Sequence, residues 1–163
     1  GVMQIVALTP DDWPVFRAVR LAMLTESPSA YGSTLEAERA QAEAAWRARL
    51  AARTQLVALD ERGDTLGTAG GLRDGPSLDL VSMWVAPAAR GRGVGEALVR
   101  RIIDLGRRLA CHQILLEVAE DNPGAERLYL RCGFTRTGAR GAIRPGEPRM
   151  RAEMRLALVD PSD

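Results

Sequence analysis

A chain of 163 residues is the length of one compact domain, long enough to bury about two-thirds of the surface its unfolded form exposes, and one domain is expected across residues 1–163. Its 22 basic and 21 acidic side chains nearly cancel, which excludes the strong positive field that draws a whole protein to nucleic acid or a membrane surface. Every basic residue is arginine, a side chain whose planar fork gives two hydrogen bonds to one phosphate, although a high-GC coding bias produces the same composition.

Cys111 and Cys132 show neither a Cys-x-x-Cys spacing nor neighbouring histidines, so two buried, reduced thiols are expected in place of a disulfide framework or zinc site. The start at Gly1-Val2-Met3 has no basic leader, and nowhere do about 18 apolar residues follow one another. The expectation is a soluble, cytoplasmic protein without a metal.

Residues 3–8 alternate as a half-buried strand does, and Thr9-Pro10-Asp11-Asp12 then offers a cap, a proline at the first helical position and an acid at the third. Trp13, Phe16, Val19 and Met23 recur at helical spacing until residues 26–32 break the pattern. Ser33 with Glu36 repeats the capping box and opens a second helix to about Ala52, with Leu35, Ala42, Trp46 and Leu50 on one face. Two strands, 54–60 and 65–73, follow around the turn Glu61-Arg62-Gly63-Asp64, and 78–86 is a third.

Val94, Leu98, Ile102, Leu105 and Leu109 then stripe a helix at the period of about 3.6 residues, with Gly106 weakening but not ending it. The run 113–119, apolar except for Glu117, reads as a strand covered on both faces. Asn122-Pro123 starts a short helix with Leu128 and Tyr129 on its inner side, and Gly133 stops it. Strands at 134–139 and 150–158 close the chain, and 140–148 between them is too long and proline-rich for a tight hairpin. This order predicts an α/β sheet of mixed direction with about seven strands and about four helices.

The chemistry concentrates at Arg90-Gly91-Arg92-Gly93-Val94-Gly95, between an apolar strand ending Met83-Trp84-Val85-Ala86-Pro87 and the amphipathic helix. Backbone N–H groups at a helix start lack partners and the helix dipole adds partial positive charge, so this loop is a candidate cradle for a pyrophosphate. A tight connection is the alternative use of the same glycines. The dinucleotide fingerprint G-x-G-x-x-G fails, because its sixth place is Glu96 counted from Gly91 and Leu98 counted from Gly93. A P-loop fails too, since the chain has no lysine.

Val85-Ala86-Pro87 followed by Arg90 to Gly95 resembles the acetyl-coenzyme A signature of the GNAT superfamily of N-acetyltransferases, Gln/Arg-x-x-Gly-x-Gly/Ala. Leu116-Glu117-Val118, Asn122, Ala125, Leu128-Tyr129 and Gly133-Phe134 resemble the downstream block of the same family in order and spacing. The resemblance implies a mostly antiparallel sheet splayed between its fourth and fifth strands. It also implies acetyl-CoA as donor, with the pyrophosphate on Arg90, Gly91, Arg92, Gly93, Val94 and Gly95, and the pantetheine arm against the backbone of Trp84, Val85 and Ala86. Asn122, Ala125 and Tyr129 are implied as further donor contacts.

By the same resemblance Tyr129 protonates the departing thiolate, a role its hydroxyl pKa of about 10 suits, and a core aromatic is the structural alternative. Asn122 bonds the cofactor arm and can cap the helix before Pro123 simultaneously. Glu117 resembles a family general base; a carboxylate facing solvent or paired with an arginine is the other reading, and a water chain or backbone carbonyl would replace it as base. His112 beside Cys111 reads as solvated, and Arg100 or Arg101 is a secondary candidate for the 3′-phosphate.

By the same resemblance the acceptor meets residues 27–33 and the loop 140–149, where Tyr31 is either a pocket wall or core, and Arg144 and Arg149 either hold an acidic acceptor group or are solvated. No acidic cluster announces a polyamine or aminoglycoside, so the acceptor class stays a small-molecule amine or a peptide amino terminus, with no nucleic-acid or membrane partner and a homodimer left open. A noncatalytic acyl-CoA-binding module is the alternative function. The intact Tyr129 and Glu117 favour the enzyme.

Overall fold

A computed structural model describes residues 3–158, so the start at Gly1-Val2 lies outside the described residues. The strands are β1 (Gln4–Ala7), β2 (Thr54–Leu59), β3 (Thr65–Asp74), β4 (Ser77–Val85), β5 (Gln113–Ala119), β6 (Thr135–Ala142) and β7 (Met150–Ala157). The helices are α1 (Trp13–Glu26), α2 (Leu35–Arg39), α3 (Glu43–Ala51), α4 (Val94–Arg108) and α5 (Pro123–Arg131). Seven strands form one sheet in the order β1-β2-β3-β4-β5-β7-β6, the mixed, mostly antiparallel arrangement expected. No helix of the described residues is long and apolar enough to cross a membrane.

Among the described residues five α-helices stand where four were expected, because the segment from Ser33 to Ala52 breaks between Arg39 and Glu43. Thr34, not Ser33, caps α2 by accepting from the Ala37 N–H at 3.1 Å. The break places Glu38 in the core at 2% exposure, where Arg20 of α1 donates to both its oxygens and Arg49 of α3 to one. A carboxylate carried inward this way needs those partners, and their geometry outweighs the pattern for one continuous helix. The first capping box forms as read, with the Thr9 N–H donating to Asp12 at 2.7 Å, and it starts a 3-10 turn before α1.

The main core lies between the sheet and α4, where Leu98 and Ile102 are fully buried against Ala69, Leu78 and Ile114. Burial of each such side chain is worth roughly 1.5–3 kcal/mol. Gly106 earns its place inside α4 by packing: a Cβ there would lie 2.8 Å from a Leu158 methyl. On the opposite face α1 and α3 enclose Phe16 and Trp46, whose rings meet edge to face at 5.5 Å. Cys111 and Cys132 are buried free thiols.

β4 and β5 run parallel and pair over three positions only: Ser77 with Gln113, Leu78 with Ile114, and Asp79 with Leu115. Beyond Asp79 the strands part, while β5 stays paired with β7 along its whole length. The sheet therefore opens into a V whose vertex is Asp79.

Candidate active site

The V is the mouth of a cleft of about 1220 Å³ that runs from the loop before α4 to the vertex at Asp79. At the loop end, Gly91 and Gly93 take φ of +76° and +82°, a left-handed backbone that glycine adopts without a steric penalty. Around neither would a Cβ meet another atom, so conformation and not crowding calls for glycine there. Gly95 differs: its Cβ would stand 3.0 Å from Leu128, so it lets α4 and α5 approach. The first hydrogen bond of α4 runs from the Ala97 N–H to the Gly93 carbonyl, which leaves the preceding N–H groups without helical partners. This end fits an anionic phosphate.

Arg90 lines the cleft but is already engaged, donating to Glu26 at 2.5 Å and to the Val85 carbonyl at 3.1 Å. Arg92 is exposed and, like Ala86, lies outside the lining. Trp84 turns its ring into the α1 side, packed with Val19, Met23 and Val57, and its indole N–H also donates to Glu26. Those two hydrogen bonds, with one from Ser27, hold the Glu26 carboxyl below its ordinary pKa; the Ser27 contribution is the largest. Arg100 faces Glu96 at 3.7 Å on the outer side of α4.

One wall comes from α5. Asn122 caps it, its Oδ1 accepting from the Ala125 N–H at 3.2 Å, and both residues line the cleft. Tyr129 also lines it while only 5% exposed, and its ring packs edge to face against Phe134 at 6.0 Å. Burial, and secondarily the nearby Cys132, pushes the Tyr129 hydroxyl pKa upward, so it stays protonated at neutral pH.

Four carboxylates line the vertex end: Asp74, Asp79, Glu117 and Glu153. Burial raises the pKa of Asp79, and Asp74, Glu117 and Glu153 raise it further by repulsion. Glu117 is about half exposed and takes an ion pair from Arg151 at 2.6 Å, which is the arginine-paired reading of this residue. Its strand is therefore covered on one face only, since Ile114, Leu116 and Val118 are buried while Glu117 is not. Sequence reasoning missed Asp79, Glu153 and Arg151; alternation of Asp79 between buried Leu78 and Leu80 was the available signal. An acidic end absent from the linear sequence is assembled by four different strands.

Two loops border the open end of the V. Tyr31, between α1 and α2, donates its hydroxyl to the Met83 carbonyl at 2.7 Å. Arg149, before β7, donates to the Ser29 carbonyl and pairs with Asp121 at 3.2 Å, while Arg144 pairs with Glu147. Ile143 is buried and lines the cleft, so the segment after β6 is a tied wall. His112 is exposed and away from the lining.

The sequence model described as the Acetyltransferase (GNAT) family matches residues 19–134. The chain is 35% identical over 74 residues to a probable glucosamine 6-phosphate N-acetyltransferase of Oryza sativa, covering 45% of this chain and 41% of that protein. It is 37% identical over 82 residues to the N-alpha-acetyltransferase RimI of Mycobacterium tuberculosis, covering 48% and 50%. The chain thus spans half or less of the length of these curated relatives. Among solved structures, yncA of Salmonella typhimurium, a putative acetyltransferase with its cofactor acetyl-CoA, superposes at a TM-score of 0.79 with 23% identity, covering 98% of this chain and 96% of that one, a likeness of fold. A GCN5-related N-acetyltransferase from Kribbella flavida superposes at 0.75 with 25% identity, covering 96% and 98%.

Proposed function

Because this chain belongs to the acetyltransferase (GNAT) family, we propose that it transfers an acetyl group from acetyl-CoA to a primary amine held in the same cleft. The observation that carries the reading is the V between β4 and β5: it joins a phosphate cradle at the start of α4 to an acidic vertex in one cleft that Tyr129 also lines. When bound, the donor supplies an activated thioester carbon. Every other demand falls on this chain.

The backbone of Gly91 to Gly95 and the Arg90 guanidinium hold the pyrophosphate by charge-assisted hydrogen bonds. Asn122 and Ala125 flank the arm. An amine arrives protonated and must lose a proton before it attacks, and Asp79 receives it, its raised pKa making it a better base than an ordinary aspartate. Glu117, already joined to Arg151, faces the same space and with Glu153 attracts the cationic acceptor. Tyr129 gives its proton to the departing thiolate. Donor and acceptor occupy opposite ends of one cleft, which favours direct attack in a ternary complex.

The acidic vertex supports a cationic amine as acceptor class. Titration with CoA and acetyl-CoA under thermal unfolding, followed by thiol release against a panel of polyamines, amino sugars and peptide amino termini, tests the reading. Stabilisation by acetyl-CoA with thiol release on a cationic amine is expected. Stabilisation without release by any amine would make the protein a binding module, and no stabilisation would remove both readings.

A further inference from the structure

Ser82 stands in the middle of β4 with φ of +50°, a left-handed conformation that strains any side chain other than glycine. It belongs to a bulge: Thr68 pairs with Trp84 and Gly70 with Val81, so Ala69 alone faces both Ser82 and Met83. The close approach of Gly70 to its neighbours fits this irregularity, since a Cβ there would lie 2.5 Å from Gln55 Oε1. Ser82 lines the cleft, in the stretch of β4 beyond its pairing with β5.

Two arginines brace it from behind. Arg20 Nη1 donates to Ser82 Oγ at 3.0 Å and Arg53 Nη1 at 3.2 Å. Arg20 is 5% exposed and is itself fixed by its fork on Glu38. Arg49 lies beside them and shares the Glu38 carboxylate with Arg20, so three guanidinium groups gather around one acid. Burial, and then Arg49 and Arg20, push Arg53 down to about 10, and its buried Nε has no hydrogen-bond partner. An excess of positive charge thus sits behind the cleft wall and reaches it through one hydroxyl.

A serine hydroxyl has two lone pairs and one proton. Both lone pairs of Ser82 are used by guanidinium donors, and among the described residues no group accepts its proton. What remains is an O–H donor polarised by two cations and opening on the cleft. Along β4 from the glycine loop to the vertex come Val85, Met83, Ser82 and Asp79. Ser82 therefore lies on β4 between the glycine loop and Asp79, within the cleft that the donor would occupy.

We propose that Ser82 is a further catalytic residue, whose O–H donates to the carbonyl oxygen of the bound thioester, with Arg20 and Arg53 as positioning residues that aim it. The proposal rests on the acetyl-transfer reading above. As the amine nitrogen bonds the carbonyl carbon, the C=O π pair moves onto oxygen, where the hydroxyl holds it; the pair returns as the C–S bond breaks, Tyr129 protonates the sulfur, and the surplus proton left on nitrogen passes through solvent to restore the Tyr129 hydroxyl. Ser82 keeps its proton throughout.

The test uses acetyl-CoA labelled with carbon-13 at the carbonyl, so no acceptor is needed. Bound to the protein, its resonance is expected downfield of free acetyl-CoA, and Ser82→Ala and Ser82→Gly should abolish that displacement while binding acetyl-CoA within about twofold of wild type. Glycine accepts the left-handed backbone, so Ser82→Gly keeps the bulge. Arg53→Met should diminish the displacement in the wild-type background and change nothing in Ser82→Gly, and Arg53→Lys should restore part of it. With a working acceptor, Ser82→Ala should lower kcat by roughly 100-fold, the loss typical of one oxyanion donor. A displaced resonance that survives in both serine variants, or an undisplaced one in wild type, overturns the role of Ser82 and leaves acetyl-CoA binding standing. No bound resonance at all overturns the acetyl-transfer reading with it.

Discussion

The Arg90 guanidinium reaches Glu26 across 64 positions of sequence, at 2.5 Å, and so ties the glycine loop to the last residue of α1. The same carboxylate oxygen accepts from the Trp84 indole at 3.0 Å. A phosphate cradle with a carboxylate on its arginine is in competition with its own ligand. Glu26→Gln removes that competitor and a nearby negative charge, so CoA is expected to bind about fivefold tighter, on the scale of one exposed ion pair. Arg90→Ala removes a charged donor and should weaken CoA by roughly tenfold. Calorimetric titration at two salt concentrations checks both, and the gap should narrow in high salt.

Local patterns carried much of the fold. Of the stripe read as Val94, Leu98, Ile102, Leu105 and Leu109, the first three lie buried and Leu105 partly so, while Leu109 falls past the end of α4 and is exposed; Gln113–Ala119 holds its read boundaries. Both are properties of one segment, visible without knowing the rest. The break of the second helix was not legible, because the partners that hold Glu38 inward beside it, Arg20 and Arg49, come from separate helices. The glycine loop stands out by its spacing and Asn122 and Tyr129 by their resemblance to the family's motif, whereas Asp79 and Ser82 owe their places to a strand splay and a bulge set by distant partners. Sequence alternation marks Asp79 as facing away from the main core; it does not say that β5 parts from it one step later.

Glu38 sets the acid limit of stability. Burial alone would raise its pKa, yet hydrogen bonding and attraction from Arg20, and attraction from Arg49, hold it down at about 2 against an ordinary 4.5. A carboxyl depressed in the folded state stabilises fully above the unfolded value and loses that contribution as pH falls through the folded one. Stability should therefore decline between pH 4.5 and about 2, by on the order of 3 kcal/mol from this group. Glu38→Gln leaves buried guanidinium charge uncompensated, at a cost of roughly 3–5 kcal/mol at neutral pH, and should flatten that acid segment. Urea unfolding across pH for both proteins provides the check; an unchanged acid slope in the variant would assign it to other carboxylates.

Tyr129 packs on Phe134 and lines the cleft, so its ring and its hydroxyl can be separated by substitution. Tyr129→Phe keeps the ring contact and removes only the acid. Turnover should fall by about 10²-fold, the low end for a general acid, with CoA affinity nearly unchanged. A thiol of low pKa needs little help to leave, so the loss should be largest with the poorest leaving thiol in a series of acetyl thioesters. Equal rates for the two proteins across that series would reduce Tyr129 to a wall.

Asp79 and Glu117 divide the acidic vertex between them, and pH separates their roles. Asp79 has its carboxyl raised by burial first and by Asp74, Glu117 and Glu153 after it, whereas Glu117 is held in an ion pair with Arg151. If Asp79 is the base, kcat/KM rises with pH through a value above the ordinary 3.8 of an aspartate, because only the ionised form can take the proton of the amine. Asp79→Asn should lower kcat by about 10²-fold and erase this acidic limb. Glu117→Gln should act on KM for a cationic amine and leave the limb in place, and by lessening repulsion on Asp79 should move it to lower pH. An acidic limb that vanishes in Glu117→Gln and persists in Asp79→Asn would exchange the two assignments.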